Sequence, residues 1–202
     1  DDYRSETHTR ILVGGNFDLL DDVHSRVQLR KNNRVYGGGA ENGNTVQSNV
    51  IVDNAYVKID KVFGRLDLTF GRQFYGSSDD LLIYAGLQPD DLLSVTALDL
   101  VRADAEIGKW AKVQAITGKI ADTGATGATG NSDTTLWGFE ANSDKVIPMG
   151  NVTLGYYTRQ VKKQATGLNG TDNNTLNALD IKANGDIIAG LGYYGQFVQN
   201  YG

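Results

Sequence analysis

Cysteine is absent from the 202 residues, and histidine and proline occur only twice each. No apolar run approaches the ~18 residues of a membrane helix, so any passage through a bilayer must be made by strands. Without cysteine there are no disulfide staples and no thiolate metal sites, a composition that fits a periplasmic or outer-membrane setting. The two histidines, His8 and His24, stand apart with no H-E-x-x-H spacing, so they read as isolated lumen or loop residues, and no metal or other cofactor is expected. Basic character is also missing: the net charge is −5, with lysine and arginine scattered, which excludes nucleic acid as a partner. The N-terminus carries no basic segment followed by an apolar one, so the chain reads as a processed form or as a piece of something longer.

What is present is period-two alternation. In Asn49 to Tyr75, Leu66, Leu68 and Phe70 alternate with Arg65, Asp67 and Thr69. On the preceding stretch Ile51, Ala55, Val57 and Ile59 share one parity, and Asn54, Tyr56 and Lys58 the other, with Lys61 to Gly64 between the two. This is a hairpin with one oily and one wet face. The same pattern recurs along the chain. His8 to Leu19 sets Ile11, Val13, Phe17 and Leu19 against Arg10, Asn16 and Asp18; Val23 to Lys31 sets Val23, Val27 and Leu29 against His24, Arg26, Gln28 and Arg30. Trp110 to Lys119 sets Ala111, Val113 and Ala115 against Lys112 and Gln114, and Thr135 to Asn142 sets Trp137 and Phe139 against Glu140. From Val152 to about Lys163, Val152, Leu154 and Tyr156 oppose Thr153, Tyr157 and Arg159; from Leu176 to Ala183, Leu179, Ile181 and Ala183 oppose Asp180 and Lys182. Asn184-Gly185 has the composition of a two-residue hairpin turn, after which Ile187, Ala189, Leu191, Tyr193 and Phe197 share a parity in a last strand to Asn200. Leu92 to Ala103 is expected to be a strand without a clear face, followed by a turn over Ala105 to Lys109. Asn32 to Ser48, Gly76 to Pro89 and Ala121 to Asp133 read as loops.

The connections alternate in length: short near residues 21, 62, 107 and 184, long near 40, 82, 127 and 169, and intermediate near 146. Short turns on one side and long loops on the other are the habit of outer-membrane barrels. The expected fold is therefore all-β, an antiparallel transmembrane barrel with about ten strands in this chain, forming one domain without a separate soluble one. With the first short connection on the periplasmic side, both ends fall at the extracellular rim, and the chain is expected to be a segment of a larger 16-18-stranded barrel.

Within Asn49 to Gly76, the residues Ala55-Tyr56-Val57, Gly71-Arg72-Gln73 and Gly76 resemble the hairpin of the alginate-export family and related outer-membrane porins. Arg26 to Asn33 resembles the strand before that hairpin, and the resemblance spans roughly Leu12 to Ile116. It implies passive, energy-independent passage of solutes through a polar lumen, with anionic polysaccharide among the cargoes of some members.

No nucleophile-base arrangement accompanies these features, so an enzyme is not expected. Asp21-Asp22, Asp79-Asp80 and Asp90-Asp91 read as solvated turn residues, since no calcium-loop spacing surrounds them. The candidate lumen residues are Arg10, His24, Arg26, Arg30, Arg65, Asp67, Arg72, Lys112, Glu140, Arg159, Asp180 and Lys182. Arginines in a narrow passage attract anions, whereas opposite charges on one face also pair across strands and stiffen a polar wall. Asp53 and Arg72 break the pattern by carrying the outward parity. Arg72 is expected to turn inward through a bulge that Gly71 permits. Trp110, Trp137, Tyr156, Tyr193 and Phe197 are candidates for interfacial aromatic girdles. The expected function is a porin in the bacterial outer membrane, a diffusion channel for small hydrophilic or anionic solutes. Its partners would be outer-membrane lipid or lipopolysaccharide and the solutes themselves, and self-association is compatible with such a barrel. The alternatives are a plugged barrel that anchors a surface layer or partner complex, and a soluble all-β adhesin.

Overall fold

The structure is a computed structural model that describes residues 7–36, 50–87, 97–123, 132–163, 173–188 and 190–202. It contains ten strands: β1 (Thr7–Leu20), β2 (Val23–Tyr36), β3 (Val50–Val62), β4 (Leu66–Gln73), β5 (Leu98–Ile107), β6 (Ala111–Thr123), β7 (Ser132–Ser143), β8 (Gly150–Lys163), β9 (Asn173–Ile188) and β10 (Leu191–Tyr201). They follow one another in chain order as a single antiparallel ten-stranded sheet. There is no helix among the described residues, and β1 and β10 remain the end strands, so the sheet is not closed into a barrel.

Nine of the ten strands have ten or more residues. Strands in soluble domains are mostly about five or six residues long, whereas a tilted strand needs about nine to eleven to cross a bilayer. The alternation explains why these segments are strands: β-branched and aromatic residues at every second position fit a pleated surface and clash with a helical stripe.

The chain divides into two compact units, Asp1–Lys58 with Gly71–Leu98, and Ile59–Phe70 with Asp99–Gly202. In the first, Ile11, Val13, Phe17 and Leu19 of β1 and Val27 and Leu29 of β2 are exposed, while Gln28 and Arg30 on the opposite parity are buried. After β4 the chain forms a compact loop closed by reciprocal backbone hydrogen bonds of 2.8 Å between Tyr75 and Ala85. In the second unit the β3–β4 turn is held by Gly64 N–H donating to the Lys61 carbonyl (2.6 Å), and Phe63 projects 97% exposed at its tip.

Several boundaries differ from the sequence-based expectation. β2 continues through Tyr36, and β6 and β7 extend into the stretch expected as a loop over Ala121 to Asp133, because polar residues satisfy a strand's backbone as well as apolar ones. The strand expected at Leu92 begins at Leu98 among the described residues, 88–96 lying outside them, and it continues through Ala105 to Ile107. Trp110 belongs to the following turn. Asn184-Gly185 is not a turn: β9 runs through it, and the chain reverses after Ile188, with Gly190 at φ +86°. Gly185 pairs with Gly150 on one side and Tyr193 on the other, and a Cβ there would come within 2.4 Å of the Met149 carbonyl oxygen. Its small size serves a close approach of strands. Ile187 therefore lies on β9, apart from the Tyr193 and Phe197 of β10 with which its parity was grouped.

Candidate functional site

Antiparallel partners point to the same side of a sheet, so the registers sort the residues of each unit into two faces. In the second unit one face collects Arg102, Asp104 and Glu106 of β5, Lys112 and Gln114 of β6, and Glu140 of β7. It continues with Tyr157 and Arg159 of β8, Asp180 and Lys182 of β9, and Gln196 of β10. The other face carries Val101, Ala103, Ala105 and Ile107, then Val113 and Ala115, Phe139 and Ala141, Leu154 and Tyr156, Leu179 and Ile181, and Phe197. Ile107, Phe139, Leu154 and Phe197 are each about half exposed.

The polar face is wired across strands. Arg102 donates through Nε and Nη2 to the Asp104 carboxylate at 2.8–3.0 Å, and Gln114 Nε2 on the neighbouring strand donates to Asp104 Oδ1 at 2.7 Å. Lys182 Nζ stands 3.2 Å from Glu140 Oε1 and 3.1 Å from Asp180 Oδ2, while Gln196 donates to Asp180 Oδ1 at 2.9 Å. Lys112 lies 3.7 Å from Glu106, with both ends well exposed. Arg102–Asp104 and Lys182–Asp180 join residues two apart on one strand, whereas Asp104–Gln114 and Glu106–Lys112 are directly opposite on neighbouring strands, where such a pair contributes about 0.2–1 kcal/mol.

In the first unit Arg30 Nε donates to both carboxylate oxygens of Asp53 at 3.1 Å, with side-chain exposures of 4% and 2%. The outward parity expected of Asp53 is corrected by this pair. Asp53 and Asn54 are consecutive and both buried, between exposed Val52 and Ala55, so β3 changes phase there. An extra residue of that kind shifts every side chain beyond it to the other face, which is why Val50 and Val52, rather than Ile51, are the exposed residues at that end. His24 Nδ1 lies 2.6 Å from Asp18 Oδ1, and Arg26 donates to Gln28 Oε1 at 2.7 Å. Gly71 has a φ of +120°, which favours glycine, and a Cβ there would meet the Ala55 carbonyl oxygen at 2.3 Å. Alternation nevertheless buries Gln73, while Arg72 stays half-buried and donates from Nε to the Val52 carbonyl at 2.8 Å.

The remaining candidates fall as follows. Arg10 is half-buried on β1, and Asp67 Oδ1 accepts the Lys61 backbone N–H at 2.9 Å, which makes it a turn fastener. Arg26, Arg65 and Arg159 meet no carboxylate among the described residues, Arg65 and Arg159 being exposed. Sequence reasoning missed Asp53 and the Arg102–Asp104–Gln114 group. The second was legible in the alternation of Val101, Ala103, Ala105 and Ile107 with Arg102, Asp104 and Glu106, which an early turn at Ala105 cut short.

On the apolar face three rings cluster: Trp137 and Tyr156 have centroids 5.5 Å apart, and Tyr156 and Tyr201 6.5 Å. Tyr156 and Thr158 both donate to Asn177 Oδ1, at 3.1 and 2.9 Å. No group of three or more potential metal ligands occurs among the described residues, and no helix there is long and apolar enough to cross a membrane, which says nothing of crossing by strands. No protein-family model and no curated protein matches the chain.

Proposed function

We propose that this chain forms part of the wall of a porin-like β-barrel in a bacterial outer membrane, passing small hydrophilic or anionic solutes without doing chemistry on them. The observation that carries this reading is the division of long strands into an exposed apolar face and an opposite polar face, with ion pairs made along strands, as in Arg102–Asp104, and between them, as in Lys182–Glu140. An exposed apolar sheet face of this extent is costly in water and neutral against lipid. A polar face wired by Arg102–Asp104 and Lys182–Glu140 suits a water-filled lumen. The resemblance of Ala55-Tyr56-Val57 and Gly71-Arg72-Gln73 to the alginate-export and porin hairpin supports the same reading.

Most lumen charges on this reading are neutralised by partners. Among the described lumen candidates Arg26, Arg65 and Arg159 meet no carboxylate and are available to attract anions, so the preference for anions is modest. The test is reconstitution in a planar bilayer: discrete conductance steps with a mild anion preference are expected, and Arg26→Gln with Arg159→Gln reduces that preference. A protein that stays in solution without detergent sinks the reading. The near-complete enclosure of Arg30–Asp53 favours, as a second reading, a barrel filled at that level that serves as an anchor. A detergent-requiring protein that never conducts would select it.

A further inference from the structure

On the apolar face of the second unit, the apolar residues are not centred on the strands. Towards the long-loop end, each of four strands changes character at a definite point. On β6 the outward positions after Ala115 are Thr117 and Lys119, and on β7 the outward position before Trp137 is Thr135. On β8 Tyr156 is followed by Thr158 and Gln160, and on β9 Leu179 is preceded by Asn177 and Thr175. The register pairs Lys119↔Thr135, Thr135↔Gln160 and Gln160↔Thr175 place a polar row on the side that below is apolar.

Towards the short turns the opposite holds. The tips are apolar and exposed: Phe63 at 97%, Trp110 at 70%, Met149 at 67%, and Val146, Ile187, Ile188 and Leu191 more than half. From Tyr156 to Met149, from Trp137 to Val146 and from Leu179 to Ile188 the outward apolar stretch is eight to ten residues including the turn, close to the about nine to eleven that a tilted crossing uses. The Trp137–Tyr156–Tyr201 cluster, with the Tyr156 hydroxyl donating to Asn177 Oδ1, lies at the border between the two regimes. Rings with an apolar body and a polar tip settle where hydrocarbon gives way to headgroups.

We propose that the bilayer embraces only the short-turn part of this unit, with lipid headgroups seated at Trp137, Tyr156 and Tyr201. The long-loop ends of β6 to β9 then stand clear of the membrane, with Lys119, Thr135, Gln160 and Thr175 on the outer face and buried Leu136, Tyr157 and Ala178 packed on the inner one. The projecting wall comprises 117–123, 132–136, 157–163 and 173–178, five to seven residues per strand, or about 17–24 Å along the strand at ~3.4 Å per residue. Its ladders are kept by neighbouring strands and its inner face is filled by Leu136, Tyr157 and Ala178, so it needs no lipid to hold it. This inference rests on the membrane reading above and adds where the membrane lies.

The test is a nitroxide scan in phosphatidylcholine vesicles, with single cysteines introduced by Leu154→Cys, Ile181→Cys, Thr135→Cys, Gln160→Cys and Thr175→Cys. Accessibility to oxygen, which partitions into lipid, is compared with that to a water-soluble nickel chelate. Labels at 154 and 181 are expected to be oxygen-accessible and shielded from nickel, and labels at 135, 160 and 175 to show the reverse. Shielding of 135, 160 and 175 to the same degree as 154 would overturn the projecting wall and leave the membrane reading intact. Nickel access at 154 and 181 would overturn both.

Discussion

Leu154→Arg separates a lipid-facing sheet from a water-facing one. Leu154 is 51% exposed on the apolar face of β8, opposite Ala141 of β7 and Ile181 of β9, with Phe197 of β10 next in the same row. It makes no ion pair and fills no closed core. In water, replacing such a residue changes stability within about 0.5 kcal/mol. In lipid, an arginine costs about 2–4 kcal/mol at the midplane and less towards an interface. Leu154 lies two residues from the Tyr156 border, so the lower end applies, about 2 kcal/mol, or roughly a thirtyfold loss in the folding equilibrium. Val198→Arg is the matched control, since Val198 pairs with Asp180 on the polar face, where the new cation meets a carboxylate. Urea-driven unfolding from phosphatidylcholine vesicles, followed by tryptophan emission, is the assay. A Leu154→Arg protein as stable as wild type, or a control that costs as much, would refute the assignment of faces.

Arg30→Met strands the Asp53 carboxylate, whose side chain is only 2% exposed, and is expected to cost about 3–5 kcal/mol, with the double variant Arg30→Met, Asp53→Leu recovering most of it in the same unfolding assay. Gly185→Val is expected to prevent assembly, because a Cβ at that position meets the Met149 carbonyl oxygen at 2.4 Å, whereas an added residue beside Gly190 in the true turn is tolerated; heat-modifiable migration on a gel reads both. The Ser77 hydroxyl donates to Asp79 and holds that carboxyl below its ordinary range. A depressed acid stabilises the folded loop above the unfolded pKa and loses that contribution as pH falls through the folded one. Ser77→Ala is therefore expected to raise the Asp79 midpoint in an NMR titration, and an unchanged midpoint would refute the link.

The all-β class, the strand order and most faces were legible because alternation is a local property that each strand displays by itself. Glu140, Asp180 and Lys182 emerged on one face as their parity required, and the register then brought Lys182 to both carboxylates. What was not legible depended on events between strands. Asp53 reads as outward until the phase change at Asp53-Asn54 is known, and only contact with Arg30 identifies it as the buried partner. Asn184-Gly185 has turn composition, yet the close approach of Gly150 gives the glycine a different use. Strand ends at the long loops were underestimated for a physical reason too. Where the outer face turns polar the apolar pattern stops before the hydrogen-bonded ladder does.

The most direct test of the central claim, that the apolar face meets lipid, uses the protein's own tryptophans. In a Trp110→Phe variant the emission comes from Trp137 alone, 41% exposed at the aromatic border. Reconstituted into vesicles of lipids brominated along the acyl chain, Trp137 is expected to be quenched most by bromines near the headgroup and little by aqueous acrylamide. Strong quenching by acrylamide with none by any brominated lipid would place that face in water and contradict the account.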